Sequence, residues 1–189
     1  MQKLLVLVLT ALLTLTGCAD PAQAEEPAGP AVWLDYLVDY EDMSYDKAEE
    51  LELPEAYPGV TFRWTAGQVS AIVDGEEEAL FSGMPVWSVF LQDLNGDGKP
   101  EFCANISWGS GMIDERVLVY DYAAKALYTL ENRGHKDYTL SIEEDRLVVT
   151  RWDYPAWPLD PDAEGVTGTL TLTTDPAGTT VLEMTCDEP

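Results

Sequence analysis

The chain has 189 residues and a formal net charge of -25, from 35 acidic against 10 basic side chains. A field of that sign repels phosphate backbones and anionic headgroups, which excludes nucleic acid as a partner. A hydrophobic content of 46%, with six Trp, nine Tyr and four Phe, excludes a disordered acidic tail and calls for a packed core. Met1, Gln2 and Lys3 open the chain, and residues 4–15 are apolar except for Thr10 and Thr14. One positive charge before a short apolar stretch has the form of a secretory signal; a mature bilayer span needs about 20 apolar residues. Thr16, Gly17 and Cys18 follow, and small residues before a cysteine suit a lipoprotein signal peptidase. Residues 1–17 are therefore expected to be a signal peptide, with Cys18 carrying a diacylglycerol. Each buried acyl methylene adds about 0.8 kcal/mol of membrane affinity. The expected location is the outer face of the cell membrane.

Residues 18–31 hold the lipidated cysteine and a Pro-, Ala- and Glu-rich flexible linker. Residues 32–58 form an acidic leader. Either Ser44 caps a short helix over 46–50 that Pro54 keeps from continuing, or the segment lies extended over a sheet edge. From residue 59 to 189 the pattern is strand after strand: 60–64, 68–73, 79–81, 86–92, 102–108, 116–122, 126–130, 138–142, 146–151, 167–173 and 179–184. Asp74-Gly75 signals a tight hairpin. Turn residues recur roughly every 8–12 positions, as in sandwiches, barrels and propeller blades. The fold class is mainly β, a single antiparallel domain built as a sandwich, a barrel or a propeller-like meander. With Cys18 acylated, Cys103 and Cys186 remain as a pair that an oxidising compartment permits to bond.

One stretch carries chemistry. Asp93, Asn95, Asp97 and Glu101 stand at relative positions 1, 3, 5 and 9 of a loop between two strands, with Gly98 at position 6. Calcium takes 6–8 oxygen ligands, and this spacing wraps a loop around one ion. Asp93, Asn95 and Asp97 are expected to give side-chain oxygens, Lys99 its carbonyl, and Glu101 a carboxylate directly or through water. Position 12 is Ala104 and no helices flank the loop, so it is not an EF-hand. The alternative is a bare turn, since Asn-Gly and Asp-Gly form hairpins unaided. A bare turn has no use for three crowded carboxylates.

The run from Phe90 to Ala104, followed by residues 107–114, resembles a domain of clostridia-type Gram-positive bacteria. That domain stands outside the membrane at the end of BlaR-type antirepressor metallopeptidases and in stand-alone lipoproteins. Residues 58–65 and 119–122 are similar to it as well, so the likeness spans 54–173. The core of residues 93–98 also resembles the calcium loops of FG-GAP and VCBS propeller repeats. The resemblance implies an extracytoplasmic sensing or binding module, not a catalyst. It does not carry the peptidase with it, because the zinc motif is absent and His135 is the one histidine.

Other candidates are weaker. Ser44 and Lys47 match Ser-x-x-Lys without its companion motifs, and Ser110 lacks the first glycine of a nucleophile elbow. Asp114 and Glu115 are adjacent carboxylates of the kind glycosidases use, but acid this dense makes such pairs common. Trp152 and Trp157 flank a proline-stiffened loop that reads as a cap over the β core or as a stacking surface for a sugar. Asp160, Asp162 and Glu164 echo the calcium spacing without a ninth-position ligand. The expectation is a non-enzymatic, lipid-anchored binding or sensing module, stabilised by calcium, whose partners are the membrane and an unknown envelope protein or ligand. The alternatives are an envelope hydrolase acting on peptidoglycan or glycan, and an accessory in antibiotic sensing.

Overall fold

A computed structural model describes residues 29–37, 40–109, 113–130, 136–153 and 164–187. The strands are β1 (Ala31–Asp35), β2 (Ala48–Glu52), β3 (Val60–Thr65), β4 (Gln68–Val73), β5 (Glu76–Ser82), β6 (Val86–Gln92), β7 (Glu101–Trp108), β8 (Asp114–Asp121), β9 (Ala126–Thr129), β10 (Lys136–Glu143), β11 (Arg146–Asp153), β12 (Val166–Thr174) and β13 (Thr180–Cys186). They form three antiparallel sheets, in the orders β1-β6-β7-β8-β9, β10-β11-β12-β13 and β2-β3-β4-β5. None closes on itself, so of the expected arrangements the barrel is excluded. The two four-stranded sheets are meanders, the five-stranded sheet adds β1 beside the β6–β9 meander, and the sheets stack in layers.

The central strands explain the stacking. β7 is buried on both faces from Glu101 to Ser107, because its sequence does not alternate apolar with polar. Phe102, Ala104 and Ile106 point into a core shared with Phe62, Trp64, Val69 and Phe81 of the β2–β5 sheet. Cys103 points the other way, with Val117 and Val119, toward Leu140, Val149, Leu170 and Leu182 of the β10–β13 sheet. Phe62 and Trp64 are fully buried, and each such side chain contributes about 1.5–3 kcal/mol over its exposed state. Asn105 fastens the second interface. Its Nδ2 donates to the Leu140 carbonyl at 3.0 Å and its Oδ1 accepts the Leu140 N–H at 2.6 Å, and nearby Asp137 of β10 accepts the Glu115 N–H of β8 at 3.1 Å.

The acidic leader belongs to the domain, which corrects the expected boundary at residue 59. β1 pairs with β6 and β2 pairs with β3. Of the two readings of this segment, the helix over 46–50 is absent and the extended one holds, with β2 at the edge of its sheet. Ser44 closes a turn instead, its carbonyl accepting the Lys47 N–H at 3.1 Å. Ala48, Glu50 and Glu52 are exposed while Glu49 and Leu51 are half-buried, a period of two that only a strand satisfies. The linker expected over 18–31 likewise ends early, since Ala31 opens β1.

The Asp74-Gly75 hairpin forms as expected, with φ of 53° and 85° in a two-residue loop between Val73 and Glu76. Glu144 and Asp145 make a second such turn, at φ 49° and 60° between Glu143 and Arg146, without the asparagine or glycine that would announce it.

The Cys103–Cys186 bridge does not form; both cysteines are free, one buried and one exposed. Cys103 lies in the middle of the central strand with its sulfur in the core, whereas Cys186 ends an edge strand opposite Gly168. Burial pushes the Cys103 thiol far above its ordinary range.

Candidate metal centre

The β6–β7 connection, residues 93–100, leaves the middle sheet at the pole where β8 ends. Gly96 and Gly98 hold φ of 76° and 81°, a left-handed backbone that a side chain would resist. Those two glycines turn the loop so that its amides fold onto its own carboxylates. Asp93 Oδ1 accepts the Gly96 N–H at 2.7 Å and Oδ2 the Gly98 N–H at 2.9 Å. Asn95 Oδ1 accepts the Asp97 N–H, and Asp97 Oδ1 accepts the Lys99 N–H, each at 2.8 Å. Glu101, the first residue of β7, accepts the Leu94 N–H at 2.6 Å and the Asn95 Nδ2 at 2.5 Å.

These bonds bring Asp93, Asp97 and Glu101 together, with one carboxylate oxygen from each lying within 4.8 Å of the others. Ligands of a single calcium ion, at 2.3–2.6 Å from it, can be separated by no more than about 5 Å. The three oxygens therefore fit one shared cation. Each carboxylate has about four acceptor sites, and the bonds above use only some of them. An all-oxygen, anionic donor set selects a hard divalent cation over a soft one.

Glu101 is 1% exposed. Burial pushes its carboxyl up to about 7, the negative charges of Asp121 and Asp93 add to this, and the Leu94 N–H opposes it. The two hydrogen bonds offset part of that burial and repulsion, and a cation at the floor of the carboxylate cluster would offset more.

Of the five residues expected as ligands, Asp93, Asp97 and Glu101 converge. Asn95 braces them, its Nδ2 reaching Glu101 and, at 3.2 Å, Asp121. Lys99 turns its ammonium over the Tyr57 ring, 5.7 Å from the centroid. Two neighbours were not expected. Asp121, buried at the end of β8, faces the cluster and fixes the next turn by accepting the Ala124 N–H at 2.8 Å. Tyr57 donates to the Pro100 carbonyl at 3.0 Å. Burial first, and then the charges of Asp121, Glu101, Asp97 and Asp93, push the Tyr57 phenol above its ordinary range. Both lie far from the loop in sequence, so its spacing gave no signal of them.

The adjacent carboxylates Asp114 and Glu115 diverge, as neighbours on a strand must. Asp114 pairs with Arg116, while both oxygens of Glu115 accept the Ser107 hydroxyl, at 2.9 and 2.8 Å. They do not form an opposed acid–base pair. Cys18, Ser110, His135, Trp157, Asp160 and Asp162 lie outside the described residues. Among the described residues no helix is long and apolar enough to cross a membrane. Comparison of the chain with family models, curated proteins and solved structures returned no match.

Proposed function

We propose that this protein is a lipid-anchored, extracytoplasmic binding or sensing module without catalytic activity, whose β6–β7 loop is held by one calcium ion. The observation that carries the metal is the convergence of Asp93, Asp97 and Glu101 within the reach of one cation. Calcium is favoured over magnesium because the loop offers purely oxygen ligands in an irregular arrangement that calcium tolerates, whereas magnesium demands near-ideal octahedral geometry and retains its waters. The ion's role is structural: it ties the β6–β7 connection to the first residue of the central strand. Cys18 and the leader before it support the anchor, and the resemblance supports a sensing role.

The test is thermal unfolding of the full chain in calcium and in chelator. At a free concentration one hundred times the dissociation constant, an ion bound only by the folded state adds about 2.7 kcal/mol. For a domain of this size that raises Tm by roughly 5–10 °C. Asp93→Ala with Asp97→Ala is expected to abolish the rise, and identical melts with and without calcium reject the site. Mass spectrometry of the membrane-extracted protein tests the anchor; an unmodified Cys18 thiol rejects it.

A further inference from the structure

Six strands form the sheet edges: β1, β9, β10, β13, β2 and β5. An open edge is a template for another chain, and proteins blunt it with charge, proline, bulges, shortness or cover. Five of the six are blunted. β1 carries a register shift between Val32 and Leu34, and β9 has four residues. β2 presents Glu49, Glu50 and Glu52, while β5 presents Glu76, Glu77 and Glu78 beside a register shift. β10 has its Leu140 amide and carbonyl taken by Asn105.

Among the described residues β13 has none of these devices. It pairs with β12 over seven consecutive residues without a shift, contains no proline or lysine, and carries one charge, Glu183. Its outward groups follow from the ladder. The Asp187 N–H donates to the Thr167 carbonyl and the Asp175 N–H to the Thr179 carbonyl, each at 2.9 Å. Hydrogen-bonded pairs alternate along an antiparallel ladder, so odd-numbered residues of β13 bond to β12. Leu182 and Met184 therefore direct their amides and carbonyls to the free edge. Beside that edge a groove of about 540 Å³ runs to β9, lined by Leu127, Tyr128, Val181, Leu182, Asp175 and Glu183 among others, with no basic residue. Leu127 is half exposed there.

We propose that the outer edge of β13 is a strand-addition site for an extended cationic segment of a partner protein, in which aliphatic side chains alternate with Lys or Arg. The backbone supplies the pairing, Leu127 and the groove receive the aliphatic side chains, and Glu183 with the field of a -25 chain selects positive charge. A second copy of the chain is disfavoured because it carries the same charge. The site is separate from the calcium loop and stands whether or not that loop holds an ion.

The experiment is fluorescence anisotropy of the full chain with a labelled peptide alternating Lys and Val, at physiological salt. A Glu–Val peptide and two Lys–Val peptides N-methylated at alternate residues, one for each register, serve as probes. Binding of Lys–Val but not Glu–Val is expected. One methylated register should bind at least about tenfold more weakly and the other should not, because only one set of amides faces β13. Met184→Pro removes an outward donor and is expected to weaken binding to the same degree; should that variant fail to fold, the methylated pair decides. Equal binding of both methylated peptides, binding of Glu–Val, or no binding overturns the proposal. So does sedimentation of the free chain as a dimer that Met184→Pro dissolves.

Discussion

Glu115→Gln offers a sharp test of how this domain buries its acid. The Glu115 carboxyl is bracketed by Ser107, which donates through its hydroxyl and is itself held by Trp87 Nε1 at 2.6 Å. Burial pushes the carboxyl up to about 7, the charges of Asp137 and Asp114 raise it further, and the Ser107 bond only partly opposes them. In the unfolded chain the same group titrates at its ordinary 4.5. A group that holds its proton more tightly when folded stabilises the fold fully below pH 4.5, and that stability is lost as pH rises through about 7. At 1.36 kcal/mol per pH unit between the two values, the loss reaches about 3 kcal/mol. Glutamine keeps an acceptor for Ser107 and never ionises. Urea unfolding at a series of pH values, in constant calcium, should show the wild type falling by about 2–3 kcal/mol relative to Glu115→Gln between pH 5 and 8. Because Glu101 is present in both proteins, its contribution cancels. Parallel curves for the two proteins would refute the account.

Asn105→Leu roughly keeps the volume of the side chain but strips the Leu140 amide and carbonyl of their partner inside a buried interface. Two orphaned backbone groups cost about 2–4 kcal/mol together, and a loss below about 1 kcal/mol by urea unfolding contradicts the latch. The free cysteines separate by exposure: an aromatic disulfide reagent on the folded chain should label Cys186 and reach Cys103 only in denaturant. In a chain whose Cys18 is acylated or replaced by serine, Cys186→Ser removes the native labelling, and native reaction at Cys103 refutes its burial.

What was legible in the sequence was local. Val86–Gln92 and Gln68–Val73 stand in the structure with their expected bounds, because alternation or an unbroken apolar run ends at a turn residue on each side. Asp74-Gly75 announced its turn by composition. Glu144-Asp145 makes the same turn without those residues, since eight paired positions between β10 and β11 impose it. The leader stayed open between helix and extended chain for a related reason. Ala48 to Glu52 is composed of helix formers, and only its pairing with β3, which buries Leu51 against the first core, makes it a strand. Cysteine parity left the bridge open because it counts thiols and not where strands carry them.

The metal loop divides along the same line. Its inner circle was legible because glycine, asparagine and aspartate at close spacing fold their own amides onto their own carboxylates, whatever surrounds them. Its depth was not. Glu101 reads from the sequence as a ligand held directly or through water, with no sign of depth, yet it is the buried one, because it is also the first residue of a strand packed on both faces. Asp121 reaches the same point from the next strand, through the register that pairs Phe102 with Tyr120. A loop whose upper carboxylates are solvated and whose floor is buried gains most from a cation at the floor, where water screens least. It follows that Glu101, and not Asp93 or Asp97, should dominate the affinity. Calcium titration of Glu101→Gln and Asp97→Asn, followed by the shift in Tm, should show the larger loss in Glu101→Gln; equal losses would place the ion near the surface and detach it from the strand.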